Sequence, residues 1–422
     1  MKFFRNLILG VSFALLFLWS GYKLGRKEAS VSFKNPLPQI SIANREVPAT
    51  KNLDFSLFWD VWGRLERFYV DKSKLDPQKM FYGAISGMVA SVGDPYTIFL
   101  TPKQNKEAKE ELSGQFEGVG IQLGLKDKKI VVIAPLKGTP ADRAGIKAGD
   151  FITKVDGKET VGWTTIEAVA KIRGQKGTKV TLTIASGENK PRDIILTRET
   201  ILVKSVELET EVTKVATVSE KPGEKKETKI TKIAYLKLSR FGDETNREWD
   251  ASASEIAENY AQGETLGLIL DLRNNPGGYL SGAVYIASEF LPSGIVVKQE
   301  SVKEGLQTYS VDRKGKLLTI PLVVLINKGS ASASEIVAGA LRDYDRAKLV
   351  GEKTFGKGSI QEAQELPAGA GLHVTTAKWI LPKGEWINGK GIEPNVKIEL
   401  DEKKPDRDLQ LEKAREILEK II

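Results

Sequence analysis

The sequence predicts a multidomain α+β protein: an N-terminal helical region, then a β-rich module, then an α/β core built on a mixed sheet. Three observations predict it. At 422 residues the chain is too long for one ordinary domain. Between about residues 104 and 200, short alternating segments (FEGVGIQL, KKIVVIAPL, GDFITKVDG, KVTLTIAS, RDIILTRE) surround two helical patches, PADRAG and TTIEAVAKIRG. From Ile233 onward apolar strands alternate with helical stretches, the rhythm of strand–helix–strand units.

In chain order, residues 1–30 place Lys2 and Arg5 ahead of an apolar run from about Leu7 to Trp19, the n-region and h-region of an export signal. No small-x-small cleavage pattern comes after it in WSGYKLG, so the run is expected to stay as an anchor in the cytoplasmic membrane. The rest of the chain would then lie in the cell envelope, outside the cytoplasm. The run is short for a bilayer span, and Lys23, Arg26 and Lys27 blur the charge asymmetry across it. Residues 31–103 hold a Pro-containing spacer and two helical patterns, FSLFWDVWGRLERFYV and KMFYGAISGMVASV, the second broken at Asp94-Pro95. Residues 104–200 are the β-rich module. Residues 201–400 form the α/β core, interrupted at 205–232 by a charged hairpin insertion turning at Lys221–Glu224, and residues 401–422 end in an amphipathic helix from Asp408.

Chemistry concentrates in Pro321–Ile336, PLVVLINKGSASASEI, and in Gly351–Gln361, GEKTFGKGSIQ. The first reads as a buried strand, a tight turn and a helix start. A serine on such an elbow stands clear of the backbone, beside helical N–H groups that have no partner inside the helix. Nucleophile and oxyanion donor then come from one turn. The hydroxyl also needs a base. The one histidine, His373, lies in the strand-like LHVTTAKWIL and reads as structural. Lys357, between Gly356 and Gly358, is the remaining candidate. As a base it needs a pKa lowered by about 3, a differential of about 4 kcal/mol supplied by desolvation. The chemistry requires a buried amine.

These residues resemble the carboxyl-terminal processing proteases, the tail-specific Ser–Lys peptidases of family S41. SASASEI, GEKTFGKGSIQ, DLRNNPGG at Asp271–Gly278 and KGIEPNV at Lys390–Val396 look like that family's signature blocks, in its order. The resemblance implies Ser332 as nucleophile, Lys357 as general base 25 positions on, and Gln361 as the residue orienting that lysine. It implies oxyanion donors at the N–H of Ala333 and of a glycine in the Gly277-Gly278 pair, with Gly278 favoured. The β-rich module resembles a PDZ domain, and Gly118-Val119-Gly120-Ile121 matches its carboxylate-binding loop, where backbone N–H groups meet a peptide C-terminus. The implied partners are protein or peptide substrates with flexible C-termini, and a homodimer or higher oligomer through the N-terminal helices. Arg173 falls where the family has an arginine coupling peptide binding to catalysis; a solvated arginine favoured by the helix dipole is the other reading. No metal or cofactor is called for.

Context and chemistry remove the competing readings. DASASEIA at Asp250–Ala257 repeats the serine motif, but Ser252 lies in a charged helical run with no strand before it. The absence of cysteine excludes thiol catalysis, thiolate metal sites and disulfides. A net charge of +8 comes from lysines scattered among glutamates, a solvated surface and not a nucleic-acid footprint. GEKTFGK has P-loop spacing, yet position 358 is glycine where a Mg²⁺-binding hydroxyl is needed. A non-catalytic PDZ-type scaffold remains as the alternative, disfavoured by the joint presence of Ser332, Lys357 and Gln361.

Overall fold

The computed structural model describes residues 54–186, 190–216, 228–399 and 407–422. The apolar run at Leu7–Trp19 and the turn expected at Lys221–Glu224 lie outside them, and among the described residues no helix is long and apolar enough to cross a membrane. The chain divides into two compact units, residues 1–81 and 82–422.

In the first unit, helix α1 (Ser56–Phe68) carries Leu57, Val61, Leu65 and Phe68 at helical spacing, all exposed. Phe58 packs edge-on against Trp59, ring centroids 4.9 Å apart. Helix α2 (Pro77–Ala90), which crosses the boundary at residues 81 and 82, starts on proline, with the Asp76 carboxylate accepting from the N–H of Gln78 at 2.9 Å.

After α2 the second unit continues with β1 (Ile98–Leu100) and α3 (Pro102–Ser113). Thr101 and Gln104 close a capping box at the start of α3, and Gly114, at φ 67°, ends it in the left-handed region that glycine adopts freely. The β-rich module comes next as β2 (Gln115–Gly118), β3 (Ile121–Lys126), β4 (Lys129–Pro135), α4 (Pro140–Arg143), β5 (Phe151–Val155), β6 (Lys158–Glu159), α5 (Thr165–Ile172), β7 (Lys179–Ala185), β8 (Arg192–Thr197) and β9 (Glu199–Leu202). Its sheet runs β3-β4-β5-β7-β8, with β6 on β5 and a separate β2–β9 pair. Alternation puts Val180, Leu182 and Ile184 of β7 inward onto Ile130, Ile152 and Ala168, a core of the module's own.

Then come β10 (Val206–Ala216), β11 (Thr228–Leu238), α6 (Thr245–Ala261), β12 (Thr265–Asp271), α7 (Leu280–Ala287), β13 (Ile295–Ser301), β14 (Gly305–Ser310), β15 (Leu322–Ile326), α8 (Ala333–Asp343), β16 (Lys348–Gly351), β17 (Ser359–Glu365), β18 (Gly371–Ile380), β19 (Val396–Lys397) and α9 (Leu409–Ile421). The main sheet is mixed, ordered β10-β11-β12-β15-β16-β19; β10 pairs antiparallel with β11 and every later pair is parallel. Both faces are covered. Leu268, Leu270, Leu322 and Val324 join the core containing Trp249, Ala283 and Val337 of α6, α7 and α8, while Ile269, Val323 and Leu325 meet Ala414 and Leu418 of α9. A strand buried on both sides has no polar face to alternate, so LILDL and LVVLI are nearly continuous in apolar residues.

The core differs in one respect from the single βα series expected. GIVVKQE and HVTTAKWIL, in β13 and β18, leave the main sheet for a separate antiparallel one, ordered β1-β18-β13-β14 with β17 on β18. Burial alternates along the second half of β18, as in a strand with one face covered. The second copy of the serine motif lies mid-helix on α6, where Trp249, Ala253 and Ile256 form the buried face and Ser252 is half-buried.

Candidate active site

The site forms where the parallel strands end. β15 ends at Ile326, and Asn327 to Ala331 turn the chain into α8. Ser332 is the N-cap of that helix, at φ 54° and ψ −117°. A non-glycine residue rarely adopts this conformation, which costs on the order of 1–3 kcal/mol and persists only where the surroundings enforce it. Two neighbouring serines do the enforcing. The Ser330 hydroxyl donates to the Leu272 carbonyl at 2.8 Å and accepts the N–H of Asn327 at 3.0 Å. The buried Ser334 hydroxyl donates to the Asn275 carbonyl at 2.9 Å, an oxygen that also takes the N–H of Ala331 at 2.9 Å.

The DLRNNPGG block supplies the loop facing this elbow. The Arg273 guanidinium is tied to Asp271, and it reaches Asp408 at the start of α9 at 2.9 Å. Burial alone would lower its pKa; the two carboxylates outweigh that and raise it. Asn274 and Asn327 exchange two hydrogen bonds at 2.9 Å, which locks the loop to the turn after β15. Gly277 sits flush against the elbow, since a Cβ there would come 2.7 Å from Ser332 Cβ and 2.9 Å from the Ala333 nitrogen. Gly277 donates its N–H to Asn275 Oδ1 at 2.9 Å, and its carbonyl accepts from Phe241 at 2.8 Å. The N–H groups of Gly278 and Ala333 have no partner among the described residues. Of the two glycines, only Gly278 therefore has a spare donor.

Lys357 enters on the loop between β16 and β17. That loop is held from below by the KGIEPNV segment and the residues just before it: Gly389 donates to the Gly356 carbonyl at 2.9 Å, and Ile392 donates to Thr354 Oγ1 at 2.7 Å. Asn388 Oδ1 accepts the N–H of Gly358 at 3.1 Å. Gly358 leads into strand β17, not into a helix, so the loop lacks the helical N-terminus on which a P-loop holds phosphate.

Elbow and lysine loop are joined by Glu335, a residue that the sequence motifs alone did not single out. Glu335 is fully buried, and its carboxylate accepts from the N–H of Ser332 (2.8 Å), the N–H of Lys357 (2.9 Å), the N–H of Gly356 (2.7 Å) and the Thr354 hydroxyl (2.6 Å). Burial pushes its carboxyl pKa up, and these four donors pull against that. The available signal was the Ser332-x-x-Glu335 spacing of a capping box.

The Lys357 side chain is partly buried, and burial lowers its pKa against the opposing pull of Asp94 and Glu335. Its Nζ lies 5.2 Å from the centroid of the Tyr96 ring and, in this conformation, is not hydrogen-bonded to Ser332. Gln361 donates Nε2 to Ser359 Oγ at 2.9 Å and to Thr375 Oγ1 at 3.0 Å, so its amide lies beside the lysine loop without a hydrogen bond to Lys357. His373 sits half-buried on β18, where burial and the nearby Lys357 both lower its pKa.

In the PDZ-like module, Val119 is buried and the carbonyls of Val119 and Gly120 accept from Ala141 (3.0 Å) and Leu136 (2.9 Å). The N–H groups of Val119 and Gly120 have no partner among the described residues, and Ile121 begins β3. A groove of about 1370 Å³ runs beside β3 and α5, with Leu123 and Val169 on the module side and Glu107 and Glu110 of α3 opposite. Arg173 caps α5 there, its guanidinium 4.3 Å from the Phe116 centroid and 3.9 Å from Glu110.

A strained serine at a strand-to-helix turn, with spare N–H donors beside it and a partly buried amine on the next loop, is an arrangement that suits a serine hydrolase, and the β-rich module has the form of a peptide-binding domain. Family comparison agrees with both parts. The peptidase family S41 model matches residues 232–398, and a PDZ domain model matches residues 131–186. The chain is 36% identical over 360 residues to the carboxy-terminal processing protease CtpA of Bacillus subtilis, covering 85% of this chain and 72% of that one. It is 40% identical over 329 residues to a CtpA-like serine protease of Staphylococcus aureus, covering 77% of this chain but only 61% of that longer protein. A crystal structure from Bacteroides fragilis assigned to the S41 proteases superposes with a TM-score of 0.51 at 16% identity, over 84% of this chain and 92% of that one, a likeness of fold. The chain belongs to peptidase family S41, as a PDZ-containing serine protease of the C-terminal processing type.

Proposed function

We propose that the protein is an endopeptidase that cuts envelope proteins near their C-termini through a Ser332–Lys357 dyad. The observation that carries this reading is the Glu335 carboxylate, which binds the N–H of the strained serine and the N–H of the lysine at once. Ser332 Oγ attacks the peptide carbonyl as neutral Lys357 takes its proton; the N–H groups of Gly278 and Ala333 hold the oxyanion, and the ammonium then protonates the departing amine. Water hydrolyses the acyl-enzyme. The resting amine lies toward Tyr96, so it must swing to the hydroxyl, as catalytic contacts commonly tighten only with substrate bound. Gln361 would orient the amine from the same side.

The spare donors at Val119 and Gly120 support capture of a substrate's terminal carboxylate, with the tail laid along β3. Arg173, at the end of the module's helix α5 and 3.9 Å from Glu110 of α3, would report that occupancy to the core. An unstructured peptide bearing a free C-terminus should be cut about tenfold faster than its C-terminal amide, because the amide lacks the charge the loop binds. Product mass spectrometry with paired peptides checks this; equal rates would remove the module from tail recognition.

The N-terminal apolar run supports anchoring in the cytoplasmic membrane with the catalytic unit outside, and the exposed stripe Leu57, Val61, Leu65 and Phe68 on α1 supports a homodimer or higher oligomer through that helix. A C-terminal reporter active only in the cytoplasm would reverse the orientation.

A further inference from the structure

We propose that Tyr96 is a positioning residue for the general base, its ring lying against the resting Lys357 amine and walling it off from an open cleft. This rests on the Ser332–Lys357 dyad proposed for the reaction. Tyr96 is the one described aromatic ring placed within cation–π distance of Lys357 Nζ, at 5.2 Å. It also lines a cleft of about 700 Å³ with Asp94, Ser359 and Thr375, and Lys357 is not among the residues that line it. The same ring thus touches the amine and the solvent-accessible side.

The ring is held by a dedicated turn. Asp94 accepts the N–H of Tyr96 at 3.1 Å and the Thr97 hydroxyl at 2.6 Å, and Thr97 Oγ1 in turn accepts the N–H of Thr375 at 3.1 Å. Thr375 Oγ1 is the acceptor for Gln361. Strand β1 fixes the register two residues later, pairing Ile98 with His373 on β18, whose other edge carries Gln361 on β17. The Asp94-Pro95 break, which in sequence only ends a helix, therefore places an aromatic wall beside the base and ties it to the residue expected to orient that base.

The groups facing the amine are Asp94 and Glu335, which favour its charge; His373, whose own charge the amine opposes; and the neutral Tyr96 ring. Two effects of removing the ring oppose each other. Loss of its attraction for the ammonium would lower the lysine pKa by less than about one pH unit, whereas admitting water from the cleft restores hydration, which can be worth several. Hydration should win.

The test is the pH dependence of kcat/KM for an unstructured peptide substrate with the full chain, its Tyr96→Phe and Tyr96→Leu variants, and Ser332→Ala and Lys357→Ala as references. Tyr96→Phe should keep the wild-type profile. In Tyr96→Leu the acid limb should move up by about one pH unit, activity near neutrality should fall about tenfold, and most of the rate should return on the alkaline plateau. Melting temperature is read alongside, and Tyr96→Met takes the place of Tyr96→Leu if that variant does not fold. An equal loss at every pH, an unchanged profile, or a gain in activity would each overturn the proposal; the last would mean that the ring parks the amine away from Ser332. An active Lys357→Ala would instead sink the dyad itself.

Discussion

Replacing either Ser332 or Lys357 with alanine is expected to lower kcat/KM by at least about 10³-fold, because nucleophile and base act as one unit whose loss removes the covalent route entirely. Neither change should unfold the protein. Alanine at position 332 inherits the same φ of 54°, so the backbone strain is neither relieved nor increased. Lys357→Met removes a partly buried ammonium and should hold or raise stability near neutral pH. The sign comes from proton binding. Burial places the folded-state pKa of Lys357 below the unfolded value of about 10.4, so between the two the unfolded chain binds more protons and wild-type stability rises with pH. The methionine variant should lack that slope. Peptide turnover together with thermal melts at several pH values checks both statements, and a Lys357→Met enzyme retaining a tenth of wild-type activity would contradict the first.

Glu335→Gln should be nearly as damaging, although the residue never meets substrate. The carboxylate answers four donors, and an amide has one oxygen with which to do so; its NH₂ would face donors that the second oxygen now accepts. Leaving buried donors without an acceptor costs about 1–3 kcal/mol each. The loop carrying Lys357 would shift against the elbow, and a misplacement of about 1 Å can cost on the order of 10² in rate. We expect a fall of about 10²-fold in kcat with KM little changed, since the PDZ groove is untouched. Steady-state kinetics with a melting curve decide it. A variant with wild-type kcat would show that the elbow and lysine loop hold their positions without this clamp.

Much of this site was legible in the sequence. The elbow could be read because a fully buried strand, an Asn-Lys-Gly turn and a run of small residues are each local signals, and they stand in one order. The need for a dry lysine came from having one histidine, and that histidine in a strand. Other parts were not legible, for physical reasons. Glu335 works through loops 19 to 22 residues away, and letters record spacing within one helix, not what another loop brings to it. Asn275 and Asp94 act the same way, by reaching backbone and hydroxyl groups across the fold or within a turn whose shape the letters leave open. The departure of β13 and β18 into their own sheet was not legible, because partner choice between sheets is a long-range matter that local pattern leaves undecided. Of the glycine pair, the sequence could favour Gly278 only by resemblance; the structure adds that the Gly277 N–H is already taken by Asn275.

The most direct test follows the rate of Ser332 acylation by a peptide substrate against pH, in the wild type and in His373→Gln. A lysine base predicts an acid limb set well below the ordinary lysine value of about 10.4 and unmoved by loss of the imidazole. A limb that vanishes or shifts with His373→Gln would assign the proton to the histidine and leave Lys357 without a role as base.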